Sequence, residues 1–524
     1  MSPRETWSRC GAACALAILL VFAGCIAAAA VCWPFEFWFT AGQPIWWLQI
    51  LTLVPLLRAL QSSCNAKQAF GRGAAFGTAW LCATFWWLYI AMHIYGGLPA
   101  AIALIAVLGL AATLALYYAV AGAIYWKLGP IQPTMAAPAF AALWTMAEMA
   151  RGTWFTGFGW GAMAYAHTDG PMALWIPLLG SYGVGAVAVW CAASLALVDK
   201  AGWWQRGSLV LLLSAGLLPL GFHATASSGS LSVALLQGNI PQDEKFDSGT
   251  GVPLALQWYA EQMHSAQADL VLAPETAIPL LPQELPQDYW AGLKQSVAHG
   301  HSALLTGIPL GDYMQGYTNS VIALSPDSSE TWRYDKHHLV PFGEFIPPMF
   351  KWFTRMMNIP LGDFNRGAIG QASFAWKGQR VAPNICYEDL FGEELGARFI
   401  DPALAPTLFA NVSNLGWFGN STAIDQHLQI SRMRALEFQR PFIRATNTGA
   451  TVIMDYQGHV QAALPRLTQG VLKGVVEGRN GITPFAWWVA RFGLWPVWLL
   501  SLLVVAIAWW SSTMRGRQHG HRQP

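Results

Sequence analysis

The sequence predicts a bundle of membrane-spanning helices joined to a separate α/β domain. Three observations carry this: an apolar, charge-poor composition, its uneven spread along the chain, and short β-branched runs confined to one block. Hydrophobic residues make up 54% of the 524 positions and charged residues only 11%, against about 25% charged in soluble domains. Residues 1–223 are apolar and Trp-rich, residues 230–480 have ordinary soluble composition, residues 485–511 are apolar again, and residues 512–524 form a basic tail. The net charge of +2, with no long basic run, argues against a nucleic-acid partner.

Apolar stretches at 11–32, 40–57, 74–92, 98–124, 134–150, 172–198, 207–223 and 485–511 predict about eight spans, since a helix needs roughly 20 residues to cross the hydrocarbon core. The run Val21-Phe22-Ala23-Gly24-Cys25 resembles a lipobox but reads as part of the first helix. Positive charge gathers on alternate loops: Arg4 and Arg9, then Arg58, Lys67 and Arg72, then Lys127, then Lys200 and Arg206, with Arg515, Arg517 and Arg522 after the last span. The opposite loops contribute little beyond Arg151. That asymmetry predicts cytoplasmic termini and an extracytoplasmic block at 230–480. Trp46, Trp47, Trp86, Trp87, Trp203, Trp204, Trp487 and Trp488 sit near expected span ends and read as an interfacial belt.

Within 230–480, short apolar runs recur at Leu231–Gln237, Leu270–Ala273, Ala303–Gly307, Asn319–Leu324, Arg380–Cys386, Thr407–Val412, Phe442–Thr446 and Thr451–Asp455, with helical patterns at 252–267 and 424–439. Buried strands alternating with helices predict a layered α/β domain. Turns are expected at Gly238-Asn239-Ile240-Pro241 and Gly307-Ile308-Pro309. Seven of the eight cysteines lie in or beside the N-terminal apolar segments, and this block holds Cys386 alone. A disulfide within the block is thereby excluded, and no Cys/His zinc spacing exists.

Three residues each follow a strand-like run. Glu275 ends Leu270-Val271-Leu272-Ala273-Pro274-Glu275, Lys336 opens Lys336-His337-His338-Leu339-Val340-Pro341-Phe342-Gly343-Glu344, and Cys386 ends Val381-Ala382-Pro383-Asn384-Ile385-Cys386. A nucleophile at a strand end is exposed in a crevice on a rigid element. Read singly, each has a blander meaning: a buried small hydrophobe, a capping acid, a solvated surface charge. His337 and His338 lack a third ligand at zinc-like spacing, so no metal and no other cofactor is expected.

Together these motifs resemble the nitrilase superfamily, with its Glu–Lys–Cys triad. Ala234 through Gln242, Ala273 through Pro279, Lys336 through Glu344, Asn384 through Glu388, Asn411 through Gly419 and Arg432 through Glu437 narrow the resemblance to the apolipoprotein N-acyltransferases, the membrane-embedded branch. The resemblance implies an αββα sandwich between N-terminal spans and a final span. It also implies a bacterial inner-membrane protein whose catalytic domain is periplasmic. Two positions depart from the family pattern: Leu415 stands where Asp is usual, and Phe246 where Trp is usual.

The resemblance implies transfer of a fatty acyl chain from a membrane phospholipid to the N-terminal amine of a diacylglyceryl-apolipoprotein. Cys386 would be the nucleophile, Glu275 the general base and Lys336 the oxyanion-stabilising cation. Glu344, Tyr387 and Glu388 match supporting positions, and Phe246 and Trp417 match candidate substrate contacts. Positive charge beside a thiol lowers its pKa, so Lys336 is expected to favour the Cys386 thiolate as well. The alternatives are a membrane-tethered nitrilase-type amidase that delivers the acyl group to water, and a transporter or lipid-binding scaffold whose soluble domain is inactive.

Overall fold

The computed structural model describes residues 3–129, 131–200, 207, 223–346 and 364–520. The chain separates into two units, one of residues 1–86, 104–222 and 494–524, the other of residues 87–103 and 223–493.

Four helices among the described residues are long and apolar enough to cross a membrane: Ala13–Val31, Ala100–Lys127, Pro171–Ala196 and Trp495–Met514. The bent pair Ala66–Phe85 and Leu88–Tyr95 would make a fifth. The expected count of about eight is therefore corrected to four or five, and the reasons are local. Trp46–Gln61 is 16 residues long, with Pro55 inside and Arg58 in its last turn, short of the roughly 20 a span needs. Pro133–Thr153 carries Glu148 and Arg151. The stretch 485–511 keeps one span, Trp495–Met514, although it breaks after Pro484–Phe492 at Gly493, whose φ is +54°. Residues 208–222, the body of the expected seventh span, lie outside the described residues, as do Trp203 and Trp204.

Small residues let these helices meet backbone to backbone. A Cβ on Gly24 would lie 2.6 Å from the Phe76 carbonyl oxygen, so within the lipobox-like run Ala23 and Gly24 pack against a neighbouring helix while Val21, Phe22 and Cys25 stay exposed on helix Pro3–Val31. Arg151, read as a loop charge, is instead buried: its Nε donates to the Tyr118 hydroxyl at 2.9 Å and its Nη1 to the carbonyls of Phe158 and Trp160 at 2.6 and 2.9 Å. Glu148 accepts the Met163 N–H at 3.0 Å. Both charges are satisfied by loop backbone, which is what permits their burial.

The second unit is an αββα sandwich. Its strands are β1 (Thr225–Gln237), β2 (Leu270–Leu272), β3 (Ala303–Asp312), β4 (Gly316–Ser325), β5 (Ser328–Asp335), β6 (Phe374–Trp376), β7 (Gln379–Ile385), β8 (Leu408–Ser413), β9 (Phe442–Thr446), β10 (Val452–Met454), β11 (Val460–Ala463) and β12 (Gly470–Gly481). They form two six-stranded sheets, ordered β12-β1-β2-β3-β4-β5 and β11-β10-β9-β8-β7-β6. β1, β2 and β3 run parallel, as do β7, β8 and β9.

Alternation along each strand sends one set of side chains between the sheets and the other outward. Leu231, Val233 and Leu235 of β1 meet Val381, Ile385 and Val412 of the second sheet in the inner layer. Ala234 and Leu236 face the outer layer beneath helices Gly251–Ser265 and Gln287–His299. Helices Ala423–Phe438 and Pro484–Phe492 cover the other sheet, the latter through Phe485, Ala486 and Val489. The turn expected at Gly307–Pro309 is absent, because β3 continues to Asp312 and pairs Pro309 with Asn319.

Trp87 also departs from the expected belt. It is buried in this second unit, its Nε1 donating to Gln426 Oε1 at 3.0 Å and its ring 4.4 Å from that of Phe418.

Candidate active site

Strand direction decides which residues meet. β2, β5, β7 and β8 present their C-terminal ends to one crevice: Glu275 follows β2, Lys336 follows β5, Cys386 follows β7 and Asn414 follows β8. Each functional side chain thus sits one to three residues beyond a strand whose own residues are locked in the apolar layers, so the site is rigid from below.

One ammonium gathers two carboxylates. Lys336 Nζ lies 2.9 Å from Glu344 Oε1 and 3.3 Å from Glu275 Oε1. Asn319 of β4 bridges the same two oxygens, donating to Glu275 at 2.8 Å and to Glu344 at 2.7 Å. The second oxygen of Glu275 accepts the Asn414 N–H at 3.0 Å, and that of Glu344 accepts the Val340 N–H at 2.9 Å.

These contacts set the charge states. Burial alone pushes the Glu275 carboxyl up, but Lys336, the Asn319 amide and Lys245 outweigh it and hold Glu275 below the usual carboxylate range. Burial works against the Lys336 ammonium as well, yet the charges of Glu344 and Glu275 keep it above the usual lysine range. Glu275 is a charged carboxylate and Lys336 a charged ammonium at neutral pH.

Cys386 caps β7 in a left-handed backbone conformation, φ +52°, which for a residue other than glycine costs on the order of 1–3 kcal/mol and clusters at functional sites. The conformation is held from beneath: Asn411 Nδ2 and His427 Nε2 both donate to the Cys386 carbonyl at 3.1 Å. His427 also bonds Asp389 at 2.8 Å, while its Nδ1 meets Arg444 at 2.9 Å, so the ring carries its proton on Nε2. Ser431 bonds both Asp389 and Arg444, completing a buried network under Cys386.

The expected lowering of the Cys386 pKa is overturned. Burial raises the thiol, the Glu275 charge raises it further, and Lys336 offsets only part of that. The resting group is a neutral thiol.

The supporting residues take distinct places. Glu388 is buried and ties two parts of the crevice: one oxygen accepts the Ile385 N–H at 2.7 Å and the Tyr334 hydroxyl at 2.8 Å, the other the His337 and His338 N–H groups at 2.7 and 3.3 Å. The residues beside Cys386 and Lys336 are thereby fixed by one carboxylate. Tyr387 packs its ring against those of His338 and Phe391, at 5.5 and 5.1 Å. Phe246 and Trp417 are half-buried, the latter with its ring 5.9 Å from that of Tyr95.

Comparison with known proteins fits this geometry. The model of the apolipoprotein N-acyltransferase N-terminal domain matches residues 27–194, and that of carbon-nitrogen hydrolase matches residues 232–477. An apolipoprotein N-acyltransferase of Verminephrobacter eiseniae is 55% identical over 90% of this chain and 92% of its own. Chains of the same name from Ralstonia nicotianae and Chromobacterium violaceum are 47% and 39% identical, covering 84% and 92% of this chain and 85% and 93% of theirs. The chain belongs to the apolipoprotein N-acyltransferase family. It is an acyltransferase built on a carbon-nitrogen hydrolase domain.

For a member of the apolipoprotein N-acyltransferase family, the two unusual residues fall in different settings. Leu415 is fully buried in the apolar layer under the second sheet, so its side chain serves packing. Phe246 stands beside Lys245, whose Nζ is 5.9 Å from its ring centre.

Reading along the chain missed Asn319, Asn414, Lys245 and the Asp389–His427–Ser431–Arg444 network. Asn319 had a detectable signal: it is a polar residue at the head of the apolar run Asn319–Leu324, where burial demands a partner. For Lys245 no pattern in the sequence marks burial.

Proposed function

We propose that this chain moves a fatty acyl group from a membrane phospholipid, through a thioester on Cys386, to the N-terminal amine of diacylglyceryl-cysteine in apolipoproteins. The observation that carries the reading is the convergence of Glu275 and Glu344 on Lys336, with Asn319 bridging the two carboxylates, in the crevice where Cys386 ends a strand.

The thiol proton of Cys386 passes to the Glu275 carboxylate as sulfur attacks the ester carbonyl. The charge that develops on oxygen is met by the Lys336 ammonium, a kind of stabilisation worth about 3–4 kcal/mol per donor. Collapse expels the lysophospholipid alkoxide, which takes the proton from Glu275 and leaves the acyl thioester. The acceptor amine then attacks the thioester and gives a proton to Glu275. Collapse returns the sulfur, which regains that proton. Glu344 and Asn319 hold Lys336 and Glu275 in register throughout.

Both substrates are lipids, which suits a crevice carried by apolar helices. The gathering of Lys and Arg at the chain ends and on alternate loops supports cytoplasmic termini and a periplasmic catalytic domain in the bacterial inner membrane, with several spans. Half-buried Phe246 and Trp417 supply aromatic surface for acyl contact.

The test is mass spectrometry of purified protein exposed to phospholipid and then to a diacylglyceryl-peptide. The expected result is an acyl adduct on Cys386, released by hydroxylamine and discharged to the peptide amine. Free fatty acid without N-acylated peptide would establish the amidase alternative. Unchanged activity of Cys386→Ala would establish the scaffold.

A further inference from the structure

The mechanism leaves the buried ammonium of Lys245 unused. Lys245 lies in the loop leaving β1, is 2% exposed, and donates from Nζ to the backbone carbonyl of Glu275 at 3.0 Å. An ammonium has three N–H groups, and among the described residues this carbonyl is the one hydrogen-bond acceptor it has and no carboxylate pairs with it. Burying an ammonium on so little bonding is costly, and what offsets the cost is the negative field of the crevice. Burial lowers Lys245 to about 8, with Glu275 and Cys386 acting in the opposite direction, so it is mostly charged at neutral pH.

The charge count shows what it does there. Glu275 and Glu344 contribute two negative charges, and Lys336 supplies one positive. With Lys245 these four groups balance, and proton transfer from Cys386 to Glu275 leaves that balance unchanged. Without Lys245 the same groups carry one excess negative charge, which opposes thiolate formation.

We propose that Lys245 is a positioning residue for acyl transfer: its ammonium fixes the Glu275 backbone and supplies the second positive charge that keeps the Glu275 carboxylate anionic. This rests on the reading of Glu275 as the base. The groups that face Glu275 are Lys336 and Glu344 beyond β5, Asn319 of β4, the Asn414 N–H beyond β8, Cys386 beyond β7, and Lys245. Lys245 is one of the charges that lower Glu275, so its removal raises the pH at which the base becomes available.

The experiment follows Cys386 acylation by phospholipid from pH 3 to 9, using full-length protein in detergent, with wild type, Lys245→Met, Lys245→Gln and Lys245→Arg. Lys245→Gln keeps a donor for the Glu275 carbonyl and removes only the charge, which guards against loss of folding. The acid limb is expected to move up by about one pH unit in the Met and Gln variants, so acylation below that limb falls about tenfold relative to wild type. The Arg variant is expected to restore the limb. A loss of equal size at every pH, or no loss, in a variant that elutes and melts as wild type would overturn the inference and leave the function standing. Absence of any Cys386 adduct in the wild type would instead overturn the functional reading, and the inference with it.

Discussion

The Asn319 side-chain amide donates to Glu275 Oε1 at 2.8 Å and, through its other N–H, to Glu344 Oε1 at 2.7 Å. Two carboxylates that would repel one another are thus spaced by one neutral donor on one side and one ammonium on the other. Asn319→Ala leaves Lys336 to hold both. A hydrogen bond to a charged group contributes about 1.5–3 kcal/mol, so Cys386 acylation is expected to slow roughly ten- to hundredfold. Single-turnover adduct formation measures this, and a rate within about twofold of wild type would show that the bridge is dispensable.

The raised Cys386 pKa gives a pH dependence with a definite sign. A folded-state pKa above the ordinary thiol value means that the thiolate fraction is small at pH 7 and grows as pH rises towards the raised value. Alkylation of the Cys386 peptide by iodoacetamide should therefore increase steadily from pH 6 to 9. Glu275→Gln removes a charge that raises the thiol, so alkylation at a given pH should become faster. A plateau below pH 8 would show a thiolate already formed at rest.

Gly307 is where β3 presses against the backbone of Glu275. A Cβ there would lie 2.5 Å from the Pro274 carbonyl oxygen and the Thr276 nitrogen, and 2.7 Å from Glu275 Cα. Backbone cannot yield as a flexible side chain does, so Gly307→Ala should cost about 1–3 kcal/mol of stability. It should also displace Glu275, and a misplacement of about 1 Å is worth roughly a hundredfold in rate. Melting temperature and acylation measured together test both parts. Wild-type acylation in this variant would mean that the Glu275 loop relaxes freely.

How far the sandwich was legible depended on strand position. All eight interior strands were anticipated, since both faces are covered and their residues form apolar runs. The four missed, β5, β6, β11 and β12, are the edges of the two sheets. Ser328–Asp335 is mostly exposed, and Gly470–Gly481 mixes buried with exposed positions, so neither carries a continuous apolar signal. Counting spans from apolar stretches overshot at the two that already read as short, 40–57 and 134–150, whose helices Trp46–Gln61 and Pro133–Thr153 hold Pro55 and Arg58 in one and Glu148 and Arg151 in the other.

The sequence by itself determined that the chain has an apolar helical part and an α/β part, and that Glu275 and Cys386 each end a strand-like run. Those properties are local, written in composition and in runs of a few residues. Only the tertiary structure decided that one ammonium serves Glu275 and Glu344, that Asn319 bridges them, and that burial keeps Cys386 a thiol. It also put Lys245 behind Glu275. Such relations join residues up to 139 positions apart, as Glu275 and Asn414 are. They depend on which strand ends a sheet brings together and how much water the fold excludes, neither of which any single stretch of chain encodes.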